Sequence, residues 1–227
     1  MVVPQRSAEL ALPVSGVIGG LYVRENETVV MNRILLRLDQ STYIAALNVA
    51  EADVRRAEAA LVRAQLQVDQ LPTGASPGQI ESAQAELRLA QAELELARNN
   101  VADAQVELEQ TELRAPFPGT IANVSVDLGE QAIAGQPLVA LGDLSGWLIE
   151  TTDISELEVV RIAVGDQATA TFTAFPDLTL TGRVDRIQVR GTTDTGGVRF
   201  AVSIRPDVHH PELRWNMSGE VRITPSR

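Results

Sequence analysis

Residues 12–39 read LPVSGVIGGLYVRENETVVMNRILLRLD, and residues 115–143 read APFPGTIANVSVDLGEQAIAGQPLVALGD. Shifted by 103 positions, which carries Pro13 onto Pro116, the first stretch lies on the second without a gap. Gly16 then meets Gly119, Ile18 meets Ile121, Val23 meets Val126, Glu27 meets Glu130, Leu35 meets Leu138 and Leu38 meets Leu141. Two matches differ in letter but agree in physics: Asn26 lies over Gly129, and Asn32 over Gly135. Asn and Gly enter the left-handed backbone region at least cost, so these four residues predict that both copies turn at the same two places. Short apolar runs between the turns, from Val17 to Val23 and from Ile121 to Val126, predict half-buried strands.

A copy of about thirty residues is too small to bury a core by itself, so the two copies are expected to close on each other as one β sandwich. This arrangement resembles the lipoyl/biotinyl-type fold, in which two quasi-identical halves interlock. In carriers of that fold a lysine at the turn between the halves bears the prosthetic group. The chain contains no lysine, all 19 basic residues being arginine, so no cofactor is expected and a swinging-arm carrier is excluded.

Between the copies the apolar residues run Leu47, Ala50, Val54, Ala57, Leu61, Ala64, Val68, Leu71, and then Ile80, Ala83, Leu87, Ala90, Leu94, Ala97, Val101, Ala104, Leu108, Thr111. Spacings of three and four alternate without error, which is the seam of a coiled coil. Pro72, Gly74, Pro77 and Gly78 break both helices and force a reversal, with Thr73 or Ser76 as caps. An antiparallel hairpin over 40–113 follows, with its tip at 71–78. Its outer face is strongly acidic, a pattern expected of a solvated surface or of lateral contacts with neighbouring copies. A rod is useful when its end touches something, so Leu71, Pro72, Thr73, Gly74, Ala75, Ser76 and Pro77 are the candidate partner contacts.

Beyond Gly146 the helical period gives way to short Thr-, Val- and Ile-rich runs: WLIETTDI, DQATATFTAF, LTLTGRVDRIQV, VRFAVSIRP and GEVRIT. Turns are expected at Gly165-Asp166, Pro176-Asp177, Gly196-Gly197 and His209-His210-Pro211. SELEVVRI opens with Ser155 three residues before Glu158, a capping-box start for one short helix. These features predict a small closed or nearly closed β barrel over 147–227.

Composition narrows the function. A net charge of −11 lacks the basic footprint that phosphate backbones require, so nucleic acid is excluded as a partner. The chain has no cysteine, and no segment approaches the roughly 20 apolar residues of a membrane span. His209 and His210 are adjacent and point apart on an extended chain, a poor chelate. No HExxH, P-loop or GxSxG pattern is present, acidic pairs such as Glu93 and Glu95 diverge on their helix, and Met1, Met31 and Met217 are scattered. No catalytic, cofactor or metal site is expected.

The order half-sandwich, hairpin, half-sandwich, barrel is similar to that of HlyD-type membrane fusion proteins, the periplasmic adaptors of efflux and secretion systems. The phrases that carry the resemblance are ELRAPFPGTIANVSVDLGEQAIAGQPLVALGDLSGWLIETTDISELEVVRIAVGDQATATF, FPDLTLTGRVDRI and ELRWNMSGEVRI. It implies an elongated, multi-domain α+β protein: a barrel-sandwich hybrid (12–39 plus 114–146) interrupted by a coiled-coil α-hairpin, then the barrel. Residues 1–11 would be an N-terminal strand or linker near the membrane. The resemblance further implies a non-catalytic, extracytoplasmic subunit that joins an inner-membrane transporter, ABC-type or another pump, to an outer-membrane channel or the exterior. Such proteins form rings of identical subunits, and the abrupt opening MVVPQRSAEL implies a membrane anchor outside this chain. Two departures qualify the resemblance. Adaptors that dock onto TolC-type channels carry Arg, Leu four on, and Ser seven further; from Arg63 those positions hold Gln67 and Gly74. The membrane-proximal domain is also expected to be short or missing, reduced to the N-terminal MVVPQRSAEL plus the C-terminal strand. The competing reading is a coiled-coil scaffold with β modules as end caps.

Overall fold

The computed structural model describes residues 1–194 and 197–225. In chain order its elements are β1 (Val2–Ala11), β2 (Gly16–Leu21), β3 (Thr28–Val29), β4 (Ile34–Leu38), α1 (Ser41–Asp69), α2 (Pro77–Glu109), β5 (Glu112–Arg114), β6 (Gly119–Val124), β7 (Gln131–Ala132), β8 (Pro137–Ser155), α3 (Glu156–Val159), β9 (Gln167–Phe172), β10 (Phe175–Ile187), β11 (Thr192–Asp194), β12 (Gly197–Pro206) and β13 (Gly219–Thr224). The repeat is written into these bounds, because adding 103 to the limits of β2 and β3 gives those of β6 and β7. Two compact units divide the chain: Glu9–Phe117 with Asn123–Val139, and Met1–Ala8 with Pro118–Ala122 and the residues from Ala140 onward.

In the first unit a sheet runs in the order β5-β4-β2-β7, so a strand of the second copy lies at the edge of the first. Gly16 sits opposite Ala132 and Val17 opposite Gln131. The Ile18 N–H donates to the Glu130 carbonyl at 2.8 Å, and the Gly129 N–H donates back to the Ile18 carbonyl at 2.9 Å. Elsewhere in the unit the Asn32 N–H donates to Ala115 at 2.8 Å and the Gly135 N–H to Leu12 at 2.9 Å. Turns supply the geometry for these crossings. Asn26 and Asn32 adopt φ of 65° and 66°, and Gly129 and Gly135 adopt 86° and 77°. Behind the ladder Leu12, Ile18, Val29, Leu35, Leu36 and Leu138 are 1% exposed or less. Each such burial contributes about 1.5–3 kcal/mol, so the interlock is hydrophobic in energy and hydrogen-bonded in register.

Two helices make up the rest of this unit. Ser76 opens α2 with extended backbone (ψ 150°); its hydroxyl accepts from the Gln79 N–H while the Gln79 side chain accepts from the Ser76 N–H, and Pro77 takes the first helical position. The helices run antiparallel: Gln40 lies beside Thr111 at one end, and Glu58 pairs with Arg98 further along. Ala50, Ala57, Ala64, Ala83, Ala90 and Ala97 are buried along the seam together with Leu94. Leu47, Val54, Leu61, Val68, Leu87, Val101 and Leu108 are half-buried. Large side chains resting over alanines let the helices approach closely, and Leu94 with Ala57, Ala97, Val54 and Leu61 forms a buried cluster. Ile80, 39% exposed, marks where the seam opens toward the tip.

The second unit contains a sheet in the order β13-β9-β10-β12-β8, with β1 added beside β8 and β11 beside β12. The Val2 N–H donates to the Met217 carbonyl at 2.8 Å and the Asn216 N–H to Val2 at 2.9 Å, which brings β1 to the segment before β13 and nearly closes the barrel. Val2, Trp147, Ile149, Ala168, Ala170, Phe172, Leu180, Val184, Val202, Ile204 and Leu213 fill its interior. Three details differ from the sequence reading. The hairpin turn expected at Pro176-Asp177 lies at Thr173 and Ala174, with Phe172 opposite Phe175. Pro176 and Asp177 instead fall inside β10, at the register shift between Phe175 and Thr179, where a residue without an N–H costs the ladder nothing. The short helix spans only Glu156–Val159, although its Ser155–Glu158 capping box is formed. And β8 runs unbroken through Gly146, where the boundary between sandwich and barrel was expected. Of the expected Gly196-Gly197 turn, Gly196 lies outside the described residues and Gly197 opens β12 with φ 114°.

Two substitutions test this packing. Leu35→Ala removes a fully buried side chain and should cost about 2–5 kcal/mol, read as a lower denaturant midpoint at unchanged slope. Leu94→Asp places an unpaired charge in the buried cluster of the seam and should abolish most of the helical far-UV circular dichroism. Retention of the full helical signal would contradict the seam.

Candidate functional site: the tip and root of the hairpin

At the far end of the hairpin α1 stops at Asp69, and the Gln70 N–H closes it on the Leu66 carbonyl at 2.9 Å. The chain reverses through a four-residue turn, the Ala75 N–H donating to the Pro72 carbonyl at 3.0 Å. Gly74, with φ +106°, occupies the third position of that turn, which type II geometry reserves for glycine. Pro72, Thr73, Gly74, Ser76 and Pro77 are exposed, while Leu71 and Ala75 are half-buried. A methyl group added at Gly74 would meet nothing within 4 Å, so the turn is open to whatever approaches it. From Gln70 to Ile80 no residue carries a charge, although Asp69 and Glu81 flank the segment and the helix surfaces beyond are acidic. The structure thus places all seven candidate contact residues together on one uncharged cap. Arg63 and Gln67 lie exposed on α1 below it.

The other end of the hairpin was not singled out from the sequence. Here β4 and β5 pair antiparallel, with Arg37 opposite Glu112, and the Leu38 N–H adds one more rung to the Thr111 carbonyl at 3.0 Å. The Arg37 guanidinium contacts Glu112 at 2.7 Å and lies 5.7 Å from the centre of the Tyr22 ring. Arg114 holds the other carboxylate oxygen of Glu112. Gln40 Nε2 donates to Thr111 Oγ1 at 2.6 Å, and Thr111 Oγ1 donates to the Leu108 carbonyl at 2.6 Å. The one signal available beforehand was Thr111 itself, a polar residue where the alternation of the seam calls for an apolar one.

Asp39 opens α1 in place of Gln40, whose side chain is used elsewhere: its Oδ1 accepts from the Ser41 N–H at 2.9 Å. Hydrogen bonds from Ser41, first its N–H and then its hydroxyl, hold the Asp39 carboxyl below its ordinary 3.8. The second copy ends on the same device, Asp143 Oδ1 accepting from the Ser145 N–H at 3.0 Å, and hydrogen bonds from Ser145, first its hydroxyl and then its N–H, hold the Asp143 carboxyl low.

A β sandwich split by a helical hairpin and followed by a barrel defines a barrel-sandwich hybrid with a coiled-coil insertion. The family model described as "RND MFP, barrel-sandwich hybrid domain" matches residues 6–143. The chain is 31% identical over 209 residues to the Escherichia coli K12 protein YdhJ, covering 89% of this chain and 70% of that one. It is 28% identical over 133 residues to the multidrug resistance protein MdtN of Shigella flexneri, covering 50% of this chain and 38% of that protein. In fold it is similar to the membrane fusion protein Spr0693 of Streptococcus pneumoniae R6, with a TM-score of 0.81 at 18% identity over 100% of this chain and 97% of that one. A MacA–MexA chimera carrying the Pseudomonas aeruginosa MexA α-hairpin superposes with a TM-score of 0.78 at 24% identity, over 99% of this chain and 79% of the chimera. The chain belongs to the membrane fusion protein family.

The cap on α1 has a pH signature. A carboxyl lowered in the folded state stabilises above its unfolded pKa of 3.8, and that contribution is lost as pH falls through the lower folded value. Asp39→Ala should therefore lower the melting temperature at neutral pH, and its difference from wild type should shrink as the pH drops below 3.8 and vanish below the folded value. A difference independent of pH would contradict the cap.

Proposed function

We propose that the chain is a non-catalytic adaptor, extracytoplasmic and anchored through a segment outside it, that couples an inner-membrane transporter to an outer channel or the exterior. The observation that carries this reading is an uninterrupted pair of helices, rooted in a hydrogen-bonded sandwich, whose far end is an exposed turn without charge. Such a cap can be desolvated against a partner at little cost, whereas the acidic flanks behind it cannot. An ABC-type exporter is one transporter that fits, and the RND wording of the matching family's description supports an RND-type transporter as the other. The position of Gln67 and Gly74, where TolC-docking adaptors carry Leu and Ser, supports a tip contact of a different kind from theirs.

The partners include further copies of the chain. Val62, Leu66, Leu89 and Leu96 are 48–62% exposed on the outer surfaces of the hairpin, apolar side chains that a ring of neighbouring hairpins would cover. A scaffold role would need the same rods without a transporter, and a host lacking the gene separates the two. Thr73→Asp with Ala75→Asp charges the cap while keeping Gly74 and its turn. In a strain lacking the chromosomal copy, this variant should behave like the deletion in a panel of toxic-compound susceptibilities. Its melting temperature and helical signal should stay within error of wild type. Wild-type resistance from the variant would remove the tip from the mechanism.

A further inference from the structure

We propose that Thr111 is a positioning residue that fixes the direction in which the hairpin leaves the sandwich. The inference goes beyond the adaptor reading and stands whatever the tip touches. Thr111 is polar yet 0% exposed. Its hydroxyl accepts from Gln40, the residue immediately before α1, and donates to Leu108 in the last turn of α2. Its backbone N–H closes on the same Leu108 carbonyl at 3.2 Å, and its carbonyl accepts the last rung from Leu38. One residue therefore ends a helix, extends a strand ladder and ties the start of the other helix to both. No flexible linker separates sheet from rod.

The physical reason for a hydroxyl here is directionality. A valine would fill the same space and satisfy the seam, but apolar contact is indifferent to angle, whereas a hydrogen bond weakens steeply as it bends. Leverage makes the angle matter. At 1.5 Å per residue the 29 residues of α1 extend about 44 Å, so a hinge of about 10° at the root moves the tip by roughly 8 Å. The ion pair of Arg37 with Glu112 braces the adjacent rung of the ladder, but on the strand side of the junction. The Gln40–Thr111–Leu108 relay is what crosses from one helix to the other.

The chain has no cysteine, so spin labels attach only where cysteines are introduced. With labels at Thr73→Cys on the tip and Asp127→Cys on the sandwich, pulsed electron–electron double resonance should return one narrow distance distribution. Thr111→Val and Gln40→Ala should each broaden it about twofold with helix content unchanged. Thr111→Ser, which keeps the hydroxyl, should restore the native width. A native width in Gln40→Ala overturns the proposal even if Thr111→Val fails to fold. So does equal broadening in Thr111→Ser, which would assign the effect to the lost methyl group.

Discussion

The edge pairing of β2 with β7 is the constraint from which the rest follows. Val17 and Gln131 are 114 residues apart in sequence, and a chain that closes so long a loop must recover the entropy elsewhere. It does so because the closure buries Leu12, Ile18, Leu35, Leu36 and Leu138 in one step. Once the copies are interlocked, β4 and β5 lie side by side, and the two ends of the insertion leave the sheet as neighbours. Two strands that lie side by side hold the first turn of α1 against the last turn of α2. The zipper of Leu and Val over Ala can then propagate from a prepaid start, where a free coiled coil of this length would have to nucleate for itself.

Charge is distributed unevenly over this framework. Residues 41–109 hold five arginines against eleven carboxylates, so −6 of the chain's −11 lies on the hairpin. Its ion pairs, Arg56 with Asp53 at 3.0 Å and Arg98 with Glu58 at 3.6 Å, are exposed and worth at most about 1 kcal/mol each. Electrostatics therefore opposes the packing of one hairpin against another, so a ring of the proposed kind would have to rest on apolar contacts. The uncharged cap is the exception on this surface, which is why it can meet a partner without first shedding a carboxylate's hydration.

Much of the fold was legible in the sequence because burial repeats with the geometry of the element. The three-four alternation from Leu47 onward and the ungapped offset between the copies are both patterns of side-chain placement, and one sequence records such patterns directly. Left-handed turns were readable for the same reason, since Asn26, Asn32, Gly129 and Gly135 are residue types with a backbone preference of their own. What stayed hidden were pairings. Nothing in the letters tells Gln40 that its amide will find Thr111, or that Glu112 will be shared by Arg37 and Arg114. Such contacts depend on the register of the β4–β5 ladder, which a one-residue slip would change. Pro176 misled in the same way. Proline marks turns on average, but a bulge in β10 can also absorb it, and only the partner strand decides between the two.

The central claim is that the two distant copies are stitched into one sheet in the stated register. Counting back from the Ile18 N–H to Glu130 bond, Val17 and Gln131 form a non-hydrogen-bonded pair, the closer kind in an antiparallel ladder and within reach of a disulfide. In a chain without cysteine, Val17→Cys with Gln131→Cys should oxidise to a single intramolecular cross-link, seen as a monomer of altered mobility on a non-reducing gel. The helical signal should be unchanged, and Tm should be higher than in the reduced protein. Failure to cross-link under oxidising conditions, while the purified protein shows its full complement of helix, would contradict the account.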